Sequence, residues 1–202
     1  MENLKIYEKA LIIVDMVNGF VREGGLADKY IEHTIKRQLE LIDEYEKNNE
    51  LIIFIKDCHE LESVEHDRFG TIKHCIKGTY EAELIDEFKE YESKDNVLVF
   101  EKNCTSFREA PGFIDAINEA KNIKEFDIVG CCTDICIANG VISMMNYFDQ
   151  VNRKVEVRLH EDAIETFGTD ERRDKYSEAA YLLLEQQGAK KVRKIGEMKY
   201  GK

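Results

Sequence analysis

Reactive side chains follow four short apolar runs of this sequence. Asp15 follows the first run, the segment Asp57-Cys58-His59 follows the second, Lys102 comes after the third, and a cysteine-rich stretch that includes Cys136 follows the fourth. In an open parallel sheet, ligands bind beyond the carboxyl ends of the strands. The spacing therefore predicts that an acid, a candidate metal site, a cation and a thiol meet at one edge of a sheet.

Cys136 is the candidate nucleophile of this group. It is predicted to lie in the first turn of a helix, where the helix dipole lowers the pKa of a thiol and a free N–H group can bind an oxyanion. Most free cysteines are instead small buried core residues. A salt bridge at a strand end is likewise the alternative interpretation of Asp15 and Lys102. The predicted proximity of all three side chains favours nucleophilic catalysis over these alternatives.

The stretch from residue 56 to residue 79 has neither helical nor strand periodicity and is longer than an ordinary connection. Asp57, His59, His66 and His74 within it offer one carboxylate and three imidazoles. Such donors suit zinc, iron or manganese better than calcium or magnesium. The alternative is a solvated acidic loop with surface histidines, and Glu65 and Asp67 are the alternatives to His66 as a ligand. We expect one divalent transition metal, with zinc as the first choice.

The elements that must position these residues are short runs, rich in β-branched or aromatic residues, that alternate with longer helical patterns. This alternation predicts a parallel sheet with right-handed crossovers and helices on both faces. We therefore expect a three-layer, doubly wound α/β domain over residues 1–202, in which the charged run 171–174 is a solvated helix start. The predicted strands are 10–14, 51–55, 97–100, 126–129, 155–159 and 191–195, and the predicted helices are 29–47, 81–91, 112–120, 133–148 and 171–187.

Composition narrows the class of protein. The chain has 202 residues, with 29 basic and 41 acidic side chains and a formal net charge of −12. This acidity argues against nucleic-acid and anionic-membrane partners. No run reaches the roughly 18 apolar residues of a transmembrane helix, and residues 1–10 are too polar for a signal peptide. We expect a cytoplasmic protein in which the six cysteines are reduced thiols.

Four motifs, in order along the chain, resemble those of the isochorismatase-like cysteine hydrolases and, among them, the nicotinamidases. Residues 11–20, LIIVDMVNGF, are similar to the strand that ends in the catalytic Asp of the family, and residues 100–107, FEKNCTSF, to the strand with its catalytic Lys. Residues 130–137, GCCTDICI, resemble the sequence around the nucleophile. Asp57-Cys58-His59, together with residues 74–79, HCIKGT, resembles the nicotinamidase metal segment.

The resemblance implies hydrolysis of a small carboxamide, nicotinamide to nicotinate and ammonia, as in NAD salvage. It implies that Asp15, Lys102 and Cys136 form a catalytic triad. It also implies a cis peptide bond between Cys131 and Cys132, with the N–H groups of Cys132 and Cys136 as the oxyanion hole. A dimer or larger homo-oligomer is the assembly that the family resemblance suggests.

The same resemblance identifies Asp57, His59 and His74 as metal ligands. The further protein ligand is His in some relatives and Glu in others, so that His66 and Glu65 both remain candidates.

The pocket departs from the family pattern at two positions. Val17 stands where Gln or Asn is common, and Thr71 stands near the place of an aromatic that commonly stacks on the nicotinamide ring. Phe20 and Phe107 are therefore expected to sandwich the ring, with Cys131 and Cys132 beside it. The alternative substrates are a carbamoyl or ureido amide and isochorismate. The alternative protein classes are a flavodoxin-like ligand-binding or redox protein and a catalytically silent interaction scaffold.

Overall fold

The computed structural model describes residues 4–193. Its six strands form one all-parallel sheet in the order β3-β2-β1-β4-β5-β6, which confirms the predicted α/β class. The strands are β1 (Lys9–Val14), β2 (Leu51–Asp57), β3 (Val97–Lys102), β4 (Glu125–Cys131), β5 (Glu156–Glu165) and β6 (Lys190–Val192).

Helices cover both faces of the sheet. Alternate residues of β1 point to opposite sides: Leu11 and Ile13 pack with Ile42, whereas Ile12 and Val14 pack with Val141. Burial on both faces explains why the strand sequences are continuously apolar. The helices are α1 (Asn18–Val21), α2 (Ile35–Lys47), α3 (Glu65–Arg68), α4 (Asp86–Lys89), α5 (Phe113–Glu119), α6 (Ala138–Gln150) and α7 (Asp170–Gln186).

The boundaries differ from the sequence prediction in several places. The predicted helix 133–148 begins as a π-helical turn, Thr133–Ile137. The predicted helix 29–47 begins as a 3-10 helix, Lys29–Thr34. The predicted helix 81–91 is replaced by a 3-10 turn, Tyr80–Ala82, and the single turn α4, because the backbone between them bonds to residues 16–18 instead. β5 continues six residues beyond its predicted end at residue 159. β6 begins at Lys190, and residues 194–195 of the predicted last strand lie outside the described residues.

The strand order reverses between β1 and β4, which is where doubly wound sheets open a binding crevice. Gly130 of β4 lies against β1 at this point. Its φ is +110°, and a Cβ atom there would lie 2.1 Å from the carbonyl oxygen of Val14. Only glycine therefore allows the two strands to run together up to the residues that follow them. Within the described chain, no helix has the length and apolarity that a membrane crossing requires.

Candidate active site

Asp15, Lys102 and Cys136 meet at the carboxyl edge of the sheet. Asp15 directly follows β1, Lys102 ends β3, and Cys136 lies in a π-helical turn, Thr133–Ile137, between β4 and α6. Lys102 Nζ lies 2.8 Å from Asp15 Oδ2 and 3.5 Å from Cys136 Sγ. All three side chains are buried. The structure thus brings together the three residues that the sequence places at one edge.

Asp15 and Cys136 form an acid–thiol pair. Burial raises the pKa of Asp15 to about 6, although the charge of Lys102 opposes this shift. Burial also raises the pKa of the Cys136 thiol well above its usual value, again against the charge of Lys102. This direction is opposite to the predicted acidification by a helix terminus. The thiol therefore needs a base, and Asp15 is in place to act as one.

Lys102 also joins this pair to Asp57, because its Nζ lies 2.6 Å from Asp57 Oδ1. Burial opposes the charge on Lys102, but the two carboxylates outweigh it and raise the lysine pKa. Burial also opposes ionisation of Asp57, but the Lys102 charge and hydrogen bonds from His59 and His74 outweigh it and lower the Asp57 pKa. One carboxylate is thus held ionised while the other titrates near neutral pH, a division typical of acid–base sites.

Three buried imidazoles cluster beside Asp57. The ring centroids of His59, His66 and His74 are 4.8 to 5.0 Å apart, and one nitrogen from each ring lies within 4.8 Å of the others. Within residues 4–193, neither ring nitrogen of His66 makes a hydrogen bond of good geometry. Because buried polar atoms are normally paired, this pair of nitrogens indicates a missing partner such as a metal ion.

Hydrogen bonds to the other ring nitrogens orient the cluster. His74 Nδ1 donates to the carbonyl oxygen of Ile72 at 2.9 Å, and His59 Nδ1 lies 3.1 Å from Ser63 Oγ. The Nε2 atoms of His59 and His74 lie 2.8 and 3.4 Å from Asp57 Oδ2. Donors at about 2.0–2.2 Å from one ion are themselves roughly 3 Å apart. These separations therefore suit donors that share an ion, with the second ring nitrogens held by supporting groups.

A cavity of about 460 Å³, counted with its open mouth, is lined both by Cys136 and by His74 of the imidazole cluster. Its walls are mostly apolar, and three of them are phenylalanine rings, which suits a flat aromatic ligand. Glu65 is buried and lines this cavity beside the cluster. The other lining residues are Phe20, Leu26, Asp57, Phe69, His74, Thr105, Cys132, Ile135, Cys136 and Phe167.

The predicted pocket residues divide into two groups. Phe20 and Cys132 line the cavity, and the peptide bond between Cys131 and Cys132 is cis, as the resemblance implies. Cys131 is fully buried outside the cavity, with its thiol donating to the Asp15 carbonyl at 3.2 Å. Phe107 is also fully buried, 5.6 Å from the ring of Phe113. The expectation that Phe107 stacks on a substrate ring is thus corrected, because this ring packs in the core.

The sequence and the fold of this chain are similar to those of known proteins. Residues 9–191 match the model of the isochorismatase domain. The chain belongs to the isochorismatase family. It is 31% identical to nicotinamidase 1 of Arabidopsis thaliana over 149 residues, which cover 67% of this chain and 59% of that protein.

Solved structures share the fold at lower identity. The pyrazinamidase of Pyrococcus horikoshii in complex with zinc has a TM-score of 0.74 and 22% identity, covering 93% of this chain and 99% of that one. N-carbamoylsarcosine amidase from Thermoplasma acidophilum has a TM-score of 0.72 and 24% identity, covering 95% and 99%. At these identities, the likeness establishes a common fold, and the substrate must be inferred from the residues of the pocket.

Two aromatic walls of this isochorismatase-family pocket escaped the sequence prediction. Phe69 directly follows α3, five residues before His74, and its place in the loop that carries the predicted metal ligands was the available signal. Phe167 follows the true end of β5 at Glu165. Because the predicted strand ended at residue 159, the sequence offered no reason to place Phe167 at a strand end.

Proposed function

We propose that this chain is a cysteine amidohydrolase that converts nicotinamide to nicotinate and ammonia. The observation that carries the proposal is the joining of two groups by one small aromatic-walled cavity: a buried acid–lysine–thiol set and an imidazole cluster. Relatedness to a nicotinamidase supports the choice of a pyridine carboxamide. The catalytic roles of Asp15, Lys102 and Cys136 are part of this proposal.

The proposed reaction proceeds through a thioester. Asp15 accepts the proton of Cys136, and the thiolate attacks the carbonyl carbon of the amide. The N–H groups of Cys132 and Cys136 hold the oxyanion, and Lys102 stabilises the negative charge that moves between Asp15 and Cys136. Asp15 then passes its proton to the departing nitrogen, which leaves as ammonia. Water attacks the thioester, and the thiol and nicotinate are released.

The residues of the imidazole cluster fit a divalent transition metal. Asp57, His59, His66 and His74 offer a carboxylate and three imidazoles. The ring nitrogens of His66 have no hydrogen-bond partner in the described part of the chain, which favours His66 over Glu65 as the further ligand. A bound ion supplies a Lewis-acid position for a ring nitrogen of the substrate, directly or through bound water. We propose zinc, with iron and manganese as alternatives.

The charge of the cavity favours a neutral amide. Asp57 and Glu65 are lining residues, and within residues 4–193 the lining contains no Arg or Lys. A substrate with its own carboxylate, such as isochorismate or an N-carbamoyl amino acid, would meet these acids, and apart from the proposed metal ion the described lining residues offer it no arginine or lysine side chain. Nicotinamide carries no charge at neutral pH and avoids this repulsion.

A panel of amides tests the proposal by ammonia release. If an ion holds the ring nitrogen, the carboxamide must be meta to it, as it is in nicotinamide and pyrazinamide. Benzamide lacks the nitrogen and picolinamide places it in the ortho position. We expect kcat/KM to fall in the order nicotinamide, pyrazinamide, benzamide, with about 100-fold or more between first and last. Equal rates on nicotinamide and benzamide would exclude the ring-nitrogen role. Preference for a ureido substrate would overturn the assignment to nicotinamide.

A further inference from the structure

Arg172, in the first turn of α7, connects two parts of the site that lie on different elements. Its Nη2 donates to Asp134 Oδ2 at 3.0 Å, and Asp134 lies in the π-helical turn, two residues before Cys136. Its Nη1 donates to the carbonyl oxygen of Phe167 at 2.7 Å, and Phe167 is a wall of the cavity. One guanidinium group therefore bonds both to the turn of the nucleophile and to the backbone of a pocket residue.

Stacking and a shared hydroxyl complete this connection. The guanidinium carbon of Arg172 lies 4.0 Å from the ring centroid of Phe167 and 4.4 Å from that of Tyr176, so it contacts both rings as a cation. Thr166 Oγ1 donates to Asp134 Oδ1 at 2.5 Å and accepts from Arg172 Nη1 at 3.3 Å. Only the planar fork of arginine can stack on a ring and donate in two directions at once.

The backbone around Arg172 is shaped to admit it. Gly168 has a φ of +106°, and a Cβ atom at this position would lie 2.7 Å from Arg172 Cδ. The Arg172 N–H donates to Thr169 Oγ1, the N-cap of α7, at 3.4 Å. The side chain is thus folded back onto the β5–α7 connection, so that the charged run 171–174 is more than the solvated helix start that its sequence predicts.

We propose that Arg172 is a positioning residue for amide hydrolysis, which holds the ring of Phe167 in the cavity wall and, through Asp134, orients the turn that carries Cys136. Arg172 is not among the lining residues of the cavity within the described chain, so it acts through its two partners. The choice of substrate rests on the proposed function, whereas the orientation of the thiol does not. A purely structural ion pair would change stability and leave KM, kcat and thiol reactivity unchanged in the folded fraction.

Three variants separate these roles by steady-state kinetics on nicotinamide. In Arg172→Met both contacts are lost, and we expect KM to rise and kcat to fall, with kcat/KM reduced about 30-fold or more. In Arg172→Lys a cation can still contact Phe167, so we expect a KM near that of the wild type and a kcat reduced about fivefold or more. Lys175→Met, on the exposed face of the same helix, is the matched control and should change neither constant more than about twofold.

Alkylation of Cys136 by iodoacetamide gives a readout that does not require nicotinamide turnover. We expect the alkylation rate of Arg172→Met to differ from wild type by about threefold or more, and that of Lys175→Met to match wild type, with thermal unfolding confirming that each protein is folded. Wild-type KM, kcat and alkylation rate in folded Arg172→Met would overturn the proposal. If Arg172→Met does not fold, a wild-type kcat in Arg172→Lys overturns it instead. A wild type without nicotinamide turnover would refute the proposed substrate, and the alkylation rates would still decide the role of Arg172.

Discussion

The two halves of the site are built in different ways. The nucleophile half, Asp15, Lys102 and Cys136, is held by strand ends and by the turn that directly follows β4. The metal half, His59, His66 and His74, lies on a loop whose regular structure is limited to the single turn α3 and a bridge from His59 to Ile76. Sheet register positions the first half, whereas the second half is held by loop contacts and includes the two ring nitrogens of His66, which have no hydrogen-bond partner within residues 4–193. We therefore expect the nucleophile half to assemble without a bound metal ion, and the arrangement of the metal half to depend on that ion.

Lys102 belongs to the nucleophile half and also contacts Asp57, the carboxylate beside the imidazoles of the metal half. Its Nζ lies 2.8 Å from Asp15 Oδ2 and 2.6 Å from Asp57 Oδ1. The buried ammonium compensates two buried carboxylates, which would otherwise repel each other at this depth. The two halves are thus held by different elements but linked by the charge of Lys102.

The largest effect is expected from Cys136→Ala. Without the thiol no thioester forms, and we expect kcat on nicotinamide to fall by about 10⁴-fold or more, while the thermal unfolding temperature stays within a few degrees of wild type. Cys75→Ser is the control, because Cys75 is a buried thiol outside the cavity lining and should leave turnover nearly unchanged. Retained turnover in Cys136→Ala, or an essential Cys75, would show that the nucleophile is misassigned.

The second largest effect is expected from loss of the proposed base, Asp15. Asp15 must be ionised to accept the thiol proton, and its pKa is raised to about 6 by burial. We therefore expect kcat/KM of wild type to fall about tenfold per pH unit below pH 6, because Asp15 then becomes protonated. Asp15→Asn should lower kcat by about 10³-fold and remove this acid limb from its residual activity. Metal content measured at each pH separates this loss from titration of the histidines. An unchanged acid limb in Asp15→Asn would exclude Asp15 as its source.

Removal of the metal tests the contrast between the halves directly. After dialysis against a chelator we expect kcat/KM on nicotinamide to fall about 100-fold and the unfolding temperature to drop, because the ion binds the folded state. The rate of Cys136 alkylation should change less than about threefold, since sheet register holds the nucleophile half. A large change in alkylation would show that the halves assemble together. Full activity in metal-free protein would overturn the metal site.

The further ligand can be assigned within the metal half. His66→Asn should lower metal affinity by about 100-fold or more, because an imidazole donor is lost, whereas Glu65→Gln should retain the ion. Binding is measured by competition with a chromophoric chelator at pH 7.5. Occupancy in wild type should also fall as pH approaches the histidine range, because protonated imidazole cannot bind metal. The reverse ranking of the two variants would identify Glu65 as the ligand.

The same contrast explains what the sequence could predict. The positions of Asp15, Lys102 and Cys136 were predictable because each follows or ends a strand that the apolar pattern identifies. The carboxyl ends of parallel strands lie at one edge of the sheet, so the three side chains meet there. The set Asp57, His59 and His74 was predictable as a donor set, but its ring orientations depend on contacts to Ile72 and Ser63 that have no sequence period.

The sequence did not reveal, for a related reason, that Phe107 is a core residue. Its ring fills the space beside Gly140, where a Cβ atom would lie 2.0 Å away, and only the tertiary contact with α6 reveals this. The pocket role of Phe69 was likewise hidden, because the loop that carries it has no period. Cavity walls made by loops thus remained outside the sequence prediction, while strand ends did not.

The smallest expected effect concerns these two aromatics. Phe69 lines the cavity and its ring centroid is 6.3 Å from that of His74, whereas Phe107 is fully buried away from the cavity. Phe69→Leu should raise the KM for nicotinamide about three- to tenfold, because one aromatic contact is worth about 0.5–1.5 kcal/mol. Phe107→Leu should leave KM within twofold and lower the free energy of unfolding by about 1–2 kcal/mol, since it leaves space in a packed core.

Measuring both variants with nicotinamide and with acetamide separates stacking from general damage. Acetamide has no ring, so Phe69→Leu should leave its kcat/KM nearly unchanged, and the loss should be confined to the aromatic substrate. Phe107→Leu should affect the two amides equally, to the extent that its folded fraction falls. An increased KM for nicotinamide in fully folded Phe107→Leu would show that the ring of Phe107 does contact the substrate. Equal losses of kcat/KM on both amides in Phe69→Leu would show that Phe69 holds the loop that carries the imidazoles and does not stack on the substrate.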